Sequence, residues 1–435
     1  MLTAAAKHQY AGQGYTGQGI DVALIDSGVS PVKGLAAAGK VLYGPDLSNE
    51  AGLPNLSNLD TFGHGTHLAG IIAGDDDFGV GGIAQGSRIV SLKVAGATGE
   101  TNVAQIIAAI EWVVEHKNDP GINIRVLNLS FGFTANTAGG VALAAAVERA
   151  WLAGIVVVAA AGNRGNNHEL DSPAISPYVI SVGAIEMYDV LGLQDSMTLW
   201  SSGGGPNRQP DVVAPGRSIV SYRVEGSMLD HLHPEAVVAE RYFRGSGTSQ
   251  SAAVVSGWVA ALLSRRPTLT PDQVKFLLTD RAVDVAIGST IDGFGKINPR
   301  AIASDPRRDA RQLGECKLGK LKNCPVRFAP VQVFPPAIPA AGFDGMVPPS
   351  GASWSGGSWN GASWSGGSWN GASWSGASWS GASWSGGTWS GASWSSASWS
   401  GASWSGASWS GASWSGASWS GVSWSGDTWL GELWT

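Results

Sequence analysis

The sequence predicts an α/β protein, a mostly parallel, doubly wound sheet with helices on both faces, followed by a repetitive tail of another kind. Three observations carry this reading. Over residues 1–305, apolar runs of strand length alternate with segments of helical spacing. Asp26 closes the first of these runs, where parallel sheets collect reactive groups beyond the carboxyl ends of their strands. From Trp354 to Trp434 a tryptophan then recurs every five residues, seventeen times in all.

The elements follow in order. Ile20 to Ile25 reads as a buried strand ending at Asp26, and Ile89 to Val94 as another. Val103 to His116 has apolar residues at 103, 106, 107, 110, 113 and 114, the spacing of one helical face. Ile122 to Leu129 is a strand, Val141 to Trp151 a helix, Ile155 to Ala160 a strand and Tyr178 to Val182 a further strand. Leu68 to Ala73 and Ala252 to Leu263 are apolar helices, the second with Ser249 in its first turn. Thr270 and Pro271 suit the cap and first position of a late helix.

Composition shifts twice after this region. Seven residues from Arg307 to Arg327 are Lys or Arg, and a proline-rich stretch from Pro325 to Pro349 follows, so residues 306–353 read as a linker, basic and then stiff. Residues 354–435 form the repeat, in units such as Gly-Ala-Ser-Trp-Ser. A period of five smears tryptophan around a helix and alternates it across a flat strand. A square coil with five residues per side gives every tryptophan an equivalent position, as in solenoids. Seventeen indoles present roughly 2,500–4,000 Å², against the 300–600 Å² or so that monomers tolerate in one patch. The tail is therefore expected to self-associate or to contact the cell envelope. A low-complexity spacer with clustered tryptophans and a glycan- or membrane-interface module are the alternatives to an ordered repeat.

The formal net charge of −6, with 14% of residues charged, gives no reason to expect nucleic acid. No stretch reaches the 18 or so apolar residues of a membrane span. The segment Met1 to His8 lacks the basic start and apolar run of a signal peptide. Cys316 and Cys324 could close a small loop as a disulfide or remain free thiols; two cysteines are too few for a zinc site.

The chemistry gathers in three distant segments, Leu24-Ile25-Asp26-Ser27-Gly28, His64-Gly65-Thr66-His67 and Gly247-Thr248-Ser249-Gln250. A serine hydroxyl is a poor nucleophile at neutral pH; it needs a neutral imidazole within reach, oriented by a third group. Ser249, His64 and Asp26 are of the types these roles require. A helix start at Ser249 presents unpaired N–H groups to an oxyanion. Asn163, just past a strand end, carries an amide able to donate to the same oxygen. Asp26, a glycine-flanked His64 and Thr248-Ser249 are each weak signals alone. Their order and their spacings of 38 and 185 residues make the combination specific.

Residues 10 to about 300 resemble the catalytic domain of subtilisin-like serine peptidases. The Asp26 strand, Asp60 to Gly70, Leu127 to Gly132, Ala160 to Asn163, Pro210 to Gly216 and the Ser249 segment carry the likeness. The resemblance implies a serine endopeptidase of subtilisin-like fold, with Asp26, His64 and Ser249 as triad and Asn163 as oxyanion donor. It also implies that Ser130, Phe131 and Gly132, with Ala160, Ala161 and Gly162, flank the pocket for the residue before the scissile bond, and that an extended substrate pairs with the edge backbone near Ser130 to Gly132. His67 is structural by the same likeness, and polypeptides are the expected substrates. Extracellular or cell-surface action is expected, although no signal peptide is visible. No cofactor is required. Calcium stabilises many relatives, but the run Asp75-Asp76-Asp77 reads as a solvated loop, so no metal is assigned. Asp60 either tunes His64 or caps a turn, and His168 either lines the cleft or lies in a surface loop. The chain departs from the family at Gln250-Ser251-Ala252-Ala253, where relatives usually place Met and, later, Pro. The other reading is a surface or envelope-associated binding protein that works through its repeat, with the peptidase domain as scaffold.

Overall fold

The computed structural model describes residues 15–53, 55–76, 81–133, 137–187, 195–205, 208–285 and 291–304, and short strands between 343 and 434. Contacts divide the chain into two units, with the break near residue 330. Cys316, Cys324 and Asp77 lie outside the described residues.

The first unit is built on an eight-stranded sheet: β1 (Asp21–Asp26), β2 (Val41–Asp46), β3 (Arg88–Lys93), β4 (Ile124–Leu129), β5 (Val156–Ala160), β6 (Ile180–Glu186), β7 (Ser196–Met197) and β8 (Val212–Pro215). Its order is β2-β3-β1-β4-β5-β6-β7, with β8 also on β6. The pairings are parallel except for β6 with β7. Every residue of β1 and β5 is buried, which explains their unbroken apolar sequences.

The helices that matter here are α1 (His64–Ala73), α2 (Val103–His116), α3 (Ala138–Leu152), α4 (Thr248–Arg265) and α5 (Pro271–Asp280). Helix α4 is buried continuously from Thr248 to Leu263 and packs on α1, β4, β5, β6 and β8. Helices α2 and α3 pack on each other and reach β1 and β5. Helix α2 opens with a capping box between Asn102 and Gln105, and α5 with another between Thr270 and Gln273. Each fully buried Val, Leu or Ile contributes about 1.5–3 kcal/mol, so α4 is the mast of the core.

Register aligns the strand ends that form the site. Ile25 lies opposite Leu129, and Leu129 opposite Ala159. Asp26, Ser130 and Ala160 therefore follow one another across the sheet at its carboxyl edge. A smaller antiparallel sheet of Ile219–Tyr222, Val237–Val238 and Tyr242–Gly245 packs on α1. No described helix is long and apolar enough to cross a membrane.

In the second unit the short strands from Ser353 on each hold one tryptophan, and strands twenty residues apart pair in parallel. Trp354 lies opposite Trp374, Trp359 opposite Trp379, Trp364 opposite Trp384 and Trp369 opposite Trp389. Four sheets result among the described residues. Four repeats per turn is the pattern a square coil with five residues per side requires.

Candidate active site

Asp26 ends β1 and His64 begins α1, and the two meet. His64 Nδ1 lies 2.7 Å from Asp26 Oδ1. The carboxylate can only accept, so Nδ1 carries the proton and Nε2 keeps its lone pair. Ser27 holds the same oxygen, its N–H donating to Oδ1 at 2.8 Å.

Helix α1 starts at His64, four residues before the apolar run that advertises it. Its cap residue is Gly63, at φ 103°, and has no side chain to satisfy the first turn. Asp60 supplies that acceptor, taking the N–H of Gly63 and of Thr66, each at 2.7 Å. Ser27 Oγ donates to Asp60 at 2.8 Å and accepts from Gly65 N–H at 3.0 Å. Asp60 thus caps the helix and also acts on the imidazole. Burial alone would lower the His64 pKa, but the charge and hydrogen bond of Asp26, helped by Asp60, raise it above 6.5. The His64 side chain keeps 21% of its surface.

The beginning of α1 admits no bulk. A methyl on Gly65 would sit 2.2 Å from the Gly28 carbonyl oxygen and 3.2 Å from Asp26 Oδ1. His67 is buried with its Nε2 3.1 Å from the Phe243 carbonyl, and burial together with the nearby His64 lowers its pKa to about 4. It stays neutral and supports the helix.

Ser249 is the second residue of α4, so its N–H has no partner within the helix. Its hydroxyl donates to the Ser130 carbonyl at 3.3 Å. A buried polar chain fixes this corner. Ser256 Oγ donates to Asn128 Oδ1 at 2.9 Å, and Asn128 Nδ2 donates to Ser130 Oγ at 2.9 Å.

Asn163 stands beside the same helix start. Its Oδ1 accepts from Thr248 N–H at 2.9 Å and from Thr248 Oγ1 at 3.0 Å. A backbone N–H can only donate, which settles the orientation of the amide and turns Nδ2 the other way.

Of the expected flanking residues, Ser130 and Gly162 are partly exposed and Gly132 is exposed, whereas Ala161 is fully buried with its N–H on the Val182 carbonyl. Ala160 is nearly as withdrawn, at 5%. Among the described residues, the backbones of Phe131 and Gly132 form no hydrogen bond with other backbone groups. His168 is exposed.

Asp76 corrects the expectation of a solvated acidic run. It is 4% exposed, and its Oδ2 accepts from Arg241 at 2.8 Å and from the Tyr242 hydroxyl at 2.7 Å. A carboxylate already taken by a guanidinium and a phenol does not fit a calcium ligand. Among the described residues no group of three or more His, Cys, Asp or Glu could hold a metal.

Sequence reading missed Thr248 as the group that orients Asn163, although it stands in the serine motif. It also missed Arg164 and Asp171, which pair beside the cleft. No local pattern marks either of them.

An acidic residue, an imidazole and a helix-borne serine at the carboxyl edge of a parallel sheet are the group types a serine hydrolase uses. Comparison with known proteins narrows the class. The family model described as the subtilase family, Peptidase_S8, matches residues 17–299. The chain belongs to this family and is a serine endopeptidase. It is 35% identical over 302 residues to serine protease AprX of Bacillus subtilis, a match covering 66% of each chain. It is 34% identical over 312 residues to subtilisin of Bacillus pumilus, covering 70% of this chain and 96% of that one. Among solved structures, fervidolysin from Fervidobacterium pennivorans, described as a keratinolytic enzyme related to subtilisin, matches with a TM-score of 0.57 at 27% identity. That match covers 70% of this chain and 46% of fervidolysin.

Proposed function

We propose that the chain cleaves polypeptides through an acyl-enzyme, with Ser249 as nucleophile, His64 as proton carrier and Asp26 as its orienting partner. The observation that carries this reading is the 2.7 Å contact of His64 Nδ1 with Asp26, which leaves Nε2 as the free base. Ser249 Oγ leaves the Ser130 carbonyl and bonds to the substrate carbonyl carbon as its proton passes to His64 Nε2. The oxyanion is met by the Ser249 N–H and by Asn163 Nδ2. His64 returns the proton to the departing amine, and water then repeats the sequence on the ester. The open backbone at Phe131 and Gly132 supports strand addition by the substrate. The reaction needs only groups of the chain and water, so no cofactor is proposed.

Action outside the cell is part of the proposal. A relative supports it, the minor extracellular protease Epr of Bacillus subtilis, 29% identical over 67% of this chain and 40% of its own. The in-register tail supports a second role, in self-association or attachment to an envelope surface.

The test is labelling with a fluorophosphonate and hydrolysis of casein. Wild type is expected to be labelled and active, and Ser249→Ala neither. An unlabelled wild type, or an active Ser249→Ala, would overturn the assignment.

A further inference from the structure

We propose that Asp171 makes the pocket for the residue before the scissile bond selective for a cationic side chain, Lys or Arg. The inference rests on the peptidase reading above and names the substrate class of that site.

The two segments that flank Ser249 are both glycine where they face each other's space, and a carboxylate stands there. A Cβ on Gly132 would meet Asp171 Cβ at 2.7 Å and Oδ2 at 3.0 Å; one on Gly162 would meet the same Oδ2 at 2.9 Å. Asp171 Oδ2 thus lies within contact range of both segments. Each segment is tied to the nucleophile. Ser130, two residues before Gly132, accepts the Ser249 hydroxyl, and Gly162 N–H donates to Thr248 Oγ1 at 3.2 Å. On the peptidase reading, a residue whose carbonyl is attacked by Ser249 sends its side chain along these segments toward Asp171, whose carboxylate takes the space that a Cβ on Gly132 or Gly162 would need. Asp171 is the charged group at the end of that route.

The carboxylate is only half occupied. Its Oδ1 accepts from Arg164 Nη2, while Oδ2 accepts no hydrogen bond from any described residue. The Asp171 side chain is 13% exposed, and burial holds its carboxyl above the ordinary range although Arg164 and His168 pull it down. A second cation would stabilise the ionised carboxylate against that burial. Arg164 is no fixed competitor, because its side chain is 47% exposed and bound by one nitrogen. Pairs this exposed are weak and readily exchanged for solvent. An incoming Lys or Arg can therefore bind Oδ2 beside Arg164 or displace it.

The full-length enzyme, its active concentration fixed by fluorophosphonate titration, is assayed on peptides that differ only before the scissile bond: Lys, Arg, Leu, Phe or Glu. The expected kcat/KM for Lys or Arg exceeds that for Leu about tenfold. Asp171→Asn is expected to bring the ratio near one, Asp171→Glu to keep it and Arg164→Gln to raise it. A ratio near one in wild type, or one unmoved by Asp171→Asn, overturns the proposal alone. So does a preference for Glu that Arg164→Gln abolishes, which would make Arg164 the reader. Failure of Ser249 to take the label overturns the peptidase reading and this proposal with it.

Discussion

Asn163 spends its amide oxygen on Thr248, accepting both the N–H and the hydroxyl at 2.9 and 3.0 Å, and so keeps its amide nitrogen for the cleft. Replacing Asn163 by Ala removes the proposed oxyanion donor while leaving the Asp26–His64 pair untouched. By the magnitude known for subtilisins, kcat is expected to fall about 10²- to 10³-fold with KM nearly unchanged. Steady-state kinetics on a peptide substrate checks it, and an unchanged kcat would remove Asn163 from the reaction.

His64 gives activity and stability opposite responses to acid. The base must be neutral, and its pKa is raised above 6.5, so kcat/KM is expected to fall on acidification with a midpoint above 6.5. Stability runs the other way. A histidine raised on folding contributes fully below 6.5, and that contribution is lost as pH rises through the folded value. Comparing wild type with His64→Ala by denaturant melts at pH 6 and pH 9 isolates this term. The stability advantage of wild type should be larger at pH 6.

Gly65 is the point where α1 touches β1's continuation. A methyl there would lie 2.2 Å from a backbone oxygen, which cannot swing aside as a side chain would. Gly65→Ala is expected to push α1 away from Gly28, costing about 2 kcal/mol or more of stability. Activity should fall more than about a hundredfold, since a displacement near 1 Å at reacting groups costs that much. Thermal melts and kcat/KM together check this, and a variant normal in both would refute the packing argument.

Lys93, fully buried at the end of β3, bonds Glu50 at 2.5 Å and also reaches the Leu59 carbonyl. Glu50 in turn accepts from Thr61 Oγ1 at 2.7 Å and Ala97 N–H at 2.9 Å. The pair ties the segment leading to His64 onto the sheet. Lys93→Met leaves a buried carboxylate without its cation and is expected to cost about 3–5 kcal/mol. The double change with Glu50→Gln should recover most of that loss, a coupling that a double-mutant cycle measures directly.

Much of the fold was legible because burial on both faces leaves a plain signature. Strands β1 and β5 read as unbroken apolar runs, and α2 as a striped helix, each within a residue or so of its observed bounds. Strand β2 escaped notice because Val41–Asp46 contains Gly44 and Pro45 and is only partly buried, as suits an edge that pairs with β3 alone. The small antiparallel sheet escaped because its strands are two to four residues long. The start of α1 was placed late, since its first turn is capped by Asp60 from outside the apolar run. In the site, Asp26, His64, Asn163 and Ser249 stand in short recognisable segments. Asp171 has no such mark, because what it does depends on lying near Gly132 and Gly162, which only the folded strand ends bring together. The Lys93–Glu50 tie is silent for the same reason, its partners lying 43 positions apart.

The tail obeys a different arithmetic. Since each strand bonds to the one twenty residues on, removing or adding a whole five-residue unit turns everything downstream by a quarter of the coil and returns it to equivalent partners. Removing a single residue slides every later tryptophan out of step. Gains and losses in multiples of five can therefore lengthen or shorten this region without cost to its bonding, and a gene encoding it can vary freely in that currency alone.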